Sequence, residues 1–147
     1  MSRITRLLPV LLLLGGWLQL AGAQDVEPSE MVRGGLQAIR MIDDAKIGEL
    51  WDGATPAARK RVTRGDFVNQ VAKARAPLGA PLQRTWVAIN RQVIANSDPE
   101  LAGQYVNIEY ETRFANNANN ANATMRELVS FQLGSDSVWR FSGYVLR

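Results

Sequence analysis

Asp43, Asp44 and Asp52 are the residues of this chain whose type and spacing could do acid–base chemistry. They flank a short apolar segment, Ile47, Leu50 and Trp51. A fold that turned back there could converge the three carboxylates to hold a cation or move a proton. Their simpler role is to cap helices and form turns. Rival chemistries are few. The 147 residues include no cysteine and no histidine. That removes thiol and imidazole nucleophile systems, Ser-His-Asp triads and the usual zinc sites. Ser and Lys occur in no S-x-x-K or G-x-S-x-G pattern, and no glycine-rich phosphate loop is present. Arg64-Gly65-Asp66 spells an adhesion tripeptide, but Thr63 and Asp66 are spaced as a capping pair at a helix start. No motif is specific for catalysis, and no cofactor or metal is implied.

The start of the chain sets the address. Arg3 and Arg6 precede an apolar run over residues 7–20, and Ala21-Gly22-Ala23 stands before the polar Gln24-Asp25. This is the order of a secretory signal peptide, read as residues 1–23 with cleavage between Ala23 and Gln24. A membrane anchor needs about 20 apolar residues. The run is shorter and is broken by Pro9, Gly15, Gly16 and Gln19, so no stable span is expected after cleavage. No cysteine stands at the junction for lipidation. The expected location is the periplasm or the exterior, where disulfides are permitted but not obligatory.

The formal charge of +3 includes the leader. Without Arg3 and Arg6, 15 basic and 14 acidic residues leave +1, so the high isoelectric point implies no nucleic-acid partner. The remaining length suits one domain with one core, placed at residues 28–147.

Elements follow from periodicity. Pro28 suits the first position of a helix, with Glu30 in its first turn. Val32, Leu36 and Ile39 recur at helical spacing, and Gly34-Gly35 permits another element to approach closely. Asp43-Asp44 ends or bends this helix. A short second helix carries Ile47, Leu50 and Trp51 and stops at Asp52-Gly53. Thr55-Pro56 starts a third, which runs into Arg59-Lys60-Arg61. Thr63 caps a fourth, with Phe67, Val68, Val71 and Ala74 as its inner face, before the loop signal Pro77-Leu78-Gly79. From Leu82 the period becomes two. A long strand with a bulge near Asn90-Arg91 is expected. Val106, Ile108, Tyr110, Thr112 and Phe114 form the inner face of the next strand. Met125, Val129, Phe131 and Leu133 mark a third, and residues 138–146 a last one after the turn Gly134-Ser135-Asp136. Residues 116–123 form an Asn-rich hairpin tip whose Asn122-Ala123-Thr124 is formally a glycosylation sequon. Trp51, Trp86 and Trp139 are expected in the core. Helices followed by an antiparallel meander predict an α+β fold with the helices on one face of a curved four-stranded sheet.

In the last strand, strict alternation puts Trp139, Phe141 and Gly143 on the helix side. Arg140 and Tyr144 then share the opposite, partly exposed face, as a candidate binding surface.

Four segments occur in order with a recognisable spacing. They are Trp51-Asp52-Gly53-Ala54-Thr55-Pro56, Arg75-Ala76-Pro77-Leu78-Gly79, the run Tyr110-Glu111-Thr112-Arg113-Phe114-Ala115-Asn116, and residues 139–147, Trp-Arg-Phe-Ser-Gly-Tyr-Val-Leu-Arg. Together they resemble the bacterial secreted domain-of-unknown-function family 4019, from about Met31 to Arg147. Trp51 and Arg75 fall in the first two segments and join Arg140 and Tyr144 as candidate binding residues. The resemblance implies a bacterial source, which makes the sequon irrelevant. The order of helices and then a meander is similar to cystatin-like and NTF2-like cone folds. The resemblance brings no catalytic residue. Relatives carry a lysine and an acidic residue where this chain has its Asn-rich tip. The expected function is a non-catalytic module that binds a small ligand or a periplasmic protein on the concave side of the sheet. The alternatives are a carboxylate enzyme in the cone, with Asp43, Asp44 or Asp52 as base, and an interaction module working through an exposed edge strand.

Overall fold

The computed structural model describes residues 27–116 and 123–147. The leader, its cleavage point at Ala23 and Gln24, and most of the Asn-rich tip with its sequon lie outside the described residues. The chain runs α1 (Pro28–Asp43), α2 (Ile47–Asp52), α3 (Pro56–Arg61), α4 (Arg64–Arg75), a 3-10 turn (Ala76–Leu78), then β1 (Pro81–Ile94), β2 (Gly103–Phe114), β3 (Ala123–Leu133) and β4 (Trp139–Leu146). The strands form one antiparallel sheet in the order β1-β2-β3-β4, and α1 packs on the first three of them. This is the expected α+β arrangement. Among the described residues no helix is long and apolar enough to cross a membrane.

Local chemistry explains the boundaries. Pro28 opens α1, and Ala45, at φ 60°, turns the chain after Asp44. Thr55 and Thr63 cap α3 and α4 by accepting from the Ala58 and Asp66 amides at 3.2 and 3.1 Å, which satisfies an orphan donor at each helix start. Asp66 therefore belongs to a capped helix start, as its spacing suggested. Gly35 lets α1 sit directly on the sheet, because a Cβ there would collide with the Tyr110 hydroxyl. That hydroxyl donates to the Val32 carbonyl at 2.5 Å.

The core joins Met31, Ala38, Ile39 and Ile42 of α1 to Ile47 and Leu50 of α2, Val71 of α4, and Val106, Ile108, Tyr110, Val129 and Phe141 of the sheet. The inner face of β2 is as alternation predicted, with Thr112 buried between Tyr110 and Phe114.

Four expectations are corrected. The β1 bulge falls at Val87, between Trp86 and Ala88, rather than near Asn90-Arg91, and a second lies at Leu82. Trp86 is 49% exposed instead of buried, because the helices leave β1 largely uncovered. Ala74, assigned to the inner face of α4, is exposed. In β4, Phe141 pairs with Phe131 but Gly143 pairs with Ser130, leaving Ser142 as an extra residue. This bulge reverses the alternation. Tyr144, opposite the buried Val129, consequently faces the helices, and Gly143 faces away.

Candidate functional site

The polar residues on the inner face meet under the C-terminal ends of α1 and α4. Thr112 and Glu127 are both 0% exposed. Glu127 sits on β3 between the inward positions of Met125 and Val129, where an apolar side chain would be expected. An isolated carboxylate there would be very costly. It is instead surrounded by donors. The Arg84 Nε–H donates to Oε1 at 2.8 Å, and the Thr112 hydroxyl donates to the same oxygen. The Tyr144 hydroxyl donates to Oε2 at 2.6 Å, with the Arg75 Nη1 at 3.5 Å.

The two guanidiniums converge again on Asp43 at the end of α1. Arg75 Nη2 lies 2.5 Å from Oδ1, and Arg84 spans both oxygens at 2.9 and 3.2 Å. Both Arg side chains are only 11% exposed and Asp43 is 16% exposed. Two cations and two anions make the set neutral overall. The Arg75 guanidinium also lies 4.8 Å over the Phe114 ring, a cation–π contact, while its Nε is buried without a hydrogen-bond partner.

The electrostatics follow from this geometry. Burial favours the neutral acid of Asp43, but hydrogen bonds and charge from Arg84 and Arg75 outweigh it and hold its carboxyl below the ordinary range. Burial opposes the charge on both arginines, and the carboxylates more than offset it, raising their pKa. Burial and the neighbouring Glu127 charge push Tyr144 up, so it stays a neutral hydroxyl donor. A general base works best with a pKa near the operating pH. Asp43, with its acceptors occupied and its pKa lowered, is poorly suited to that task.

The three aspartates do not converge. Asp43 alone joins this network. Asp44 caps α1 in an exposed position. Asp52 pairs with Arg64 at 2.9 Å on the surface.

Beside the network, a cleft of about 270 Å³ opens between α3, α4 and β4. Trp51, Phe67, Phe141 and Tyr144 supply its aromatic surface, and Arg61 is the one charged side chain among its described lining residues. The Trp51 indole N–H donates to the Val62 carbonyl at 3.0 Å, which fixes that ring as a wall. Phe67 and Phe141 meet at tilted rings 5.9 Å apart. Trp51 and Tyr144 thus share the cleft, and Arg75 stands behind Tyr144 through their common partner Glu127.

Arg140 is elsewhere. It forms a two-pronged pair with Asp136 at 2.9 and 2.6 Å, which holds that carboxyl at about 2. Both residues line a wider groove of about 840 Å³ at the other end of β4. The expected pairing of Arg140 with Tyr144 on one exposed face is therefore incorrect, because the Ser142 bulge separates them. The open cleft is bounded by Phe141 and Tyr144 on the helix-facing side of β4 and by Phe67 and Val71 of α4.

A family model described as a protein of unknown function, DUF4019, matches residues 35–144. The chain belongs to this family. The DUF4019 span contains Asp43, Arg75, Arg84, Thr112, Glu127 and Tyr144, the whole buried network. It also contains every cleft residue named above. No curated protein matches the chain.

Sequence reasoning missed Glu127, Arg84 and Thr112 as a set. The signal was present for two of them. Thr112 falls on the inner face by alternation, and Glu127 falls midway between Met125 and Val129. Two polar residues at inward positions of neighbouring strands imply a buried polar contact.

Proposed function

We propose that this DUF4019 domain is an exported, non-catalytic binding module. Its cleft takes a small amphiphile, with the apolar body against Trp51, Phe67 and Phe141 and an anionic end toward Arg61. The observation that carries this reading is a contrast within one region. The buried carboxylates are saturated by arginine, threonine and tyrosine donors, whereas the adjoining aromatic surface is open. Ligand sites are commonly such concave, mostly apolar clefts with a few placed polar groups. The same contrast weakens the alternative of a carboxylate enzyme, which needs an unsatisfied acid or base. Export rests on the leader, with cleavage between Ala23 and Gln24, and the bacterial periplasm is the setting that the family resemblance implies.

The test uses the cleaved protein and an apolar sulfonate dye, 1-anilinonaphthalene-8-sulfonate. The dye should bind saturably at one site and quench tryptophan emission. Ala74→Trp, which fills the cleft from an exposed position on α4, should weaken binding at least about tenfold, equivalent to about 1.4 kcal/mol. Absence of saturable binding, or equal affinity in the filled variant, would refute the assignment of the cleft.

A further inference from the structure

β4 is the last strand of the sheet on the side of the cleft, and part of its outer edge is open there. Arg126 and Arg147 exchange backbone hydrogen bonds at 2.6 and 2.9 Å. Alternation from that pair turns the backbone groups of Val145 and Gly143 toward β3. The amides and carbonyls of Tyr144 and Leu146 therefore point away from the sheet. Among the described residues nothing pairs with them, and both residues line the cleft. An unpaired strand edge beside an apolar pocket is the arrangement that takes an extended peptide as a further strand. This edge has a marked end. The Thr55 N–H already holds the Phe141 carbonyl at 2.9 Å, so a strand added along Leu146 and Tyr144 must stop before Phe141. Arg61 lines the cleft together with Ser142 and Gly143, the residues at that stop. Its neighbours Lys60 and Arg64 are paired with Glu100 and Asp52. Arg61 has no carboxylate partner among the described residues.

We infer that the ligand of this cleft is the C-terminal end of an extended apolar peptide, added antiparallel to β4. The inference rests on the cleft being the binding site and names the class of its ligand. Charge sets the direction. An antiparallel strand ends beside Ser142 and presents its carboxylate to Arg61, whereas a parallel one would bring its N-terminal ammonium there. The edge sets the register. The last residue stands across from Tyr144, donating its N–H to the Tyr144 carbonyl while its carboxylate accepts from the Tyr144 N–H. The residue two before it stands across from Leu146 and exchanges a second pair of bonds. Side chains directly opposite in an antiparallel pair share a face. These two residues therefore lie on the helix side with Tyr144 and Leu146, toward Phe67 and Ala74 of α4. The residue between them points outward with Val145, which is 49% exposed. Apolar side chains are thus required at the last position and two before it, and a polar one is tolerated at the penultimate position.

The probe is the hexapeptide Ser-Thr-Ser-Leu-Thr-Leu, carrying fluorescein at its N-terminus and a free C-terminal carboxylate. Its binding to the cleaved protein would be followed by fluorescence anisotropy. The expected result is saturable binding that displaces the sulfonate dye. Converting the carboxylate to an amide, or Arg61→Gln in the protein, should each weaken binding at least about fivefold, because a charge-assisted contact is lost. Methylating the nitrogen of the last residue should weaken it at least as much, since that N–H faces β4. Methylating the penultimate nitrogen, which points away from β4, should change it less than about twofold. Dye that binds saturably but is not displaced by the peptide overturns the inference and leaves the cleft standing. Equal binding of the acid and the amide overturns it too, as do equal effects of the two methyl groups. Absence of saturable dye binding instead removes the cleft itself, and the peptide with it.

Discussion

Replacing Glu127 by glutamine tests whether the buried network is electrostatically coupled. The amide keeps the shape of the side chain, so no cavity opens. Its NH₂ would meet another donor, either Tyr144 and Arg75 on one side or Arg84 and Thr112 on the other. Two guanidiniums would then share Asp43 alone, and a neutral buried set would carry a net charge of +1. Breaking a buried ion set by removing one partner costs about 3–5 kcal/mol. That is a large part of a total stability of roughly 5–15 kcal/mol, and lowers Tm by roughly 10–20 °C for a domain of this size. Urea unfolding followed by tryptophan fluorescence and circular dichroism gives the value, with an unchanged slope expected. Glu111→Gln is the control. Glu111 pairs with Arg126 at 3.0 Å but is 47% exposed, and its loss should cost well under about 1 kcal/mol. Equal small costs at both positions would refute the coupling described here.

Asp43 makes stability depend on acid. Its folded pKa lies below the unfolded 3.8, so its contribution is complete above 3.8 and is lost as pH falls through the folded value. Stability measured across that acid range should fall more steeply in the parent than in Asp43→Asn. Trp139→Ala, which removes a ring packed on the core, should cost about 3 kcal/mol. Arg140→Ala, half-buried and paired only with Asp136 among the described residues, should stay within about 1 kcal/mol by the same denaturation assay. Deleting Ser142 should restore strict alternation in β4, turn Tyr144 outward and abolish dye binding while destabilising the fold. A deletion variant that binds and unfolds like the parent would show that the bulge does not aim Tyr144. Mass spectrometry of the exported protein should find Gln24 at the N-terminus, free or cyclised; an intact leader in a membrane fraction would count against export.

The elements were largely legible because each carries local punctuation. Thr55-Pro56 and Thr63 mark helix starts, and β2 alternates without interruption from Val106 to Phe114. The site was less legible because one of its determinants is a register event and another is the way a helix crosses the sheet. Nothing about Ser142 announces a bulge, since serine fits a paired strand equally well. Yet the extra residue alone moves Tyr144 from the outer face to the interior. Nor does spacing show that Arg75 and Arg84, nine positions apart across a 3-10 turn, converge on Asp43. That meeting depends on how α1 crosses the sheet, which Gly35 and Tyr110 set through one close contact. Trp86 misled for a related reason. A tryptophan at an inward strand position is normally covered, but the helices leave most of β1, Trp86 included, uncovered.

Stability alone does not account for the ion set, since well-packed apolar replacements of buried charges are often neutral or stabilising by about 1–4 kcal/mol. Positioning offers a better account. Each member comes from a different element: α1, α4, β1, β2, β3 and β4 contribute one side chain apiece. An apolar set would tolerate slippage among those elements, because hydrophobic contacts are not directional. Hydrogen bonds of defined length and angle do not. The network thereby fixes the β4 register that the bulge creates, and with it the Tyr144 ring that forms part of the cleft. Charge buried in this domain specifies the shape of the apolar surface beside it.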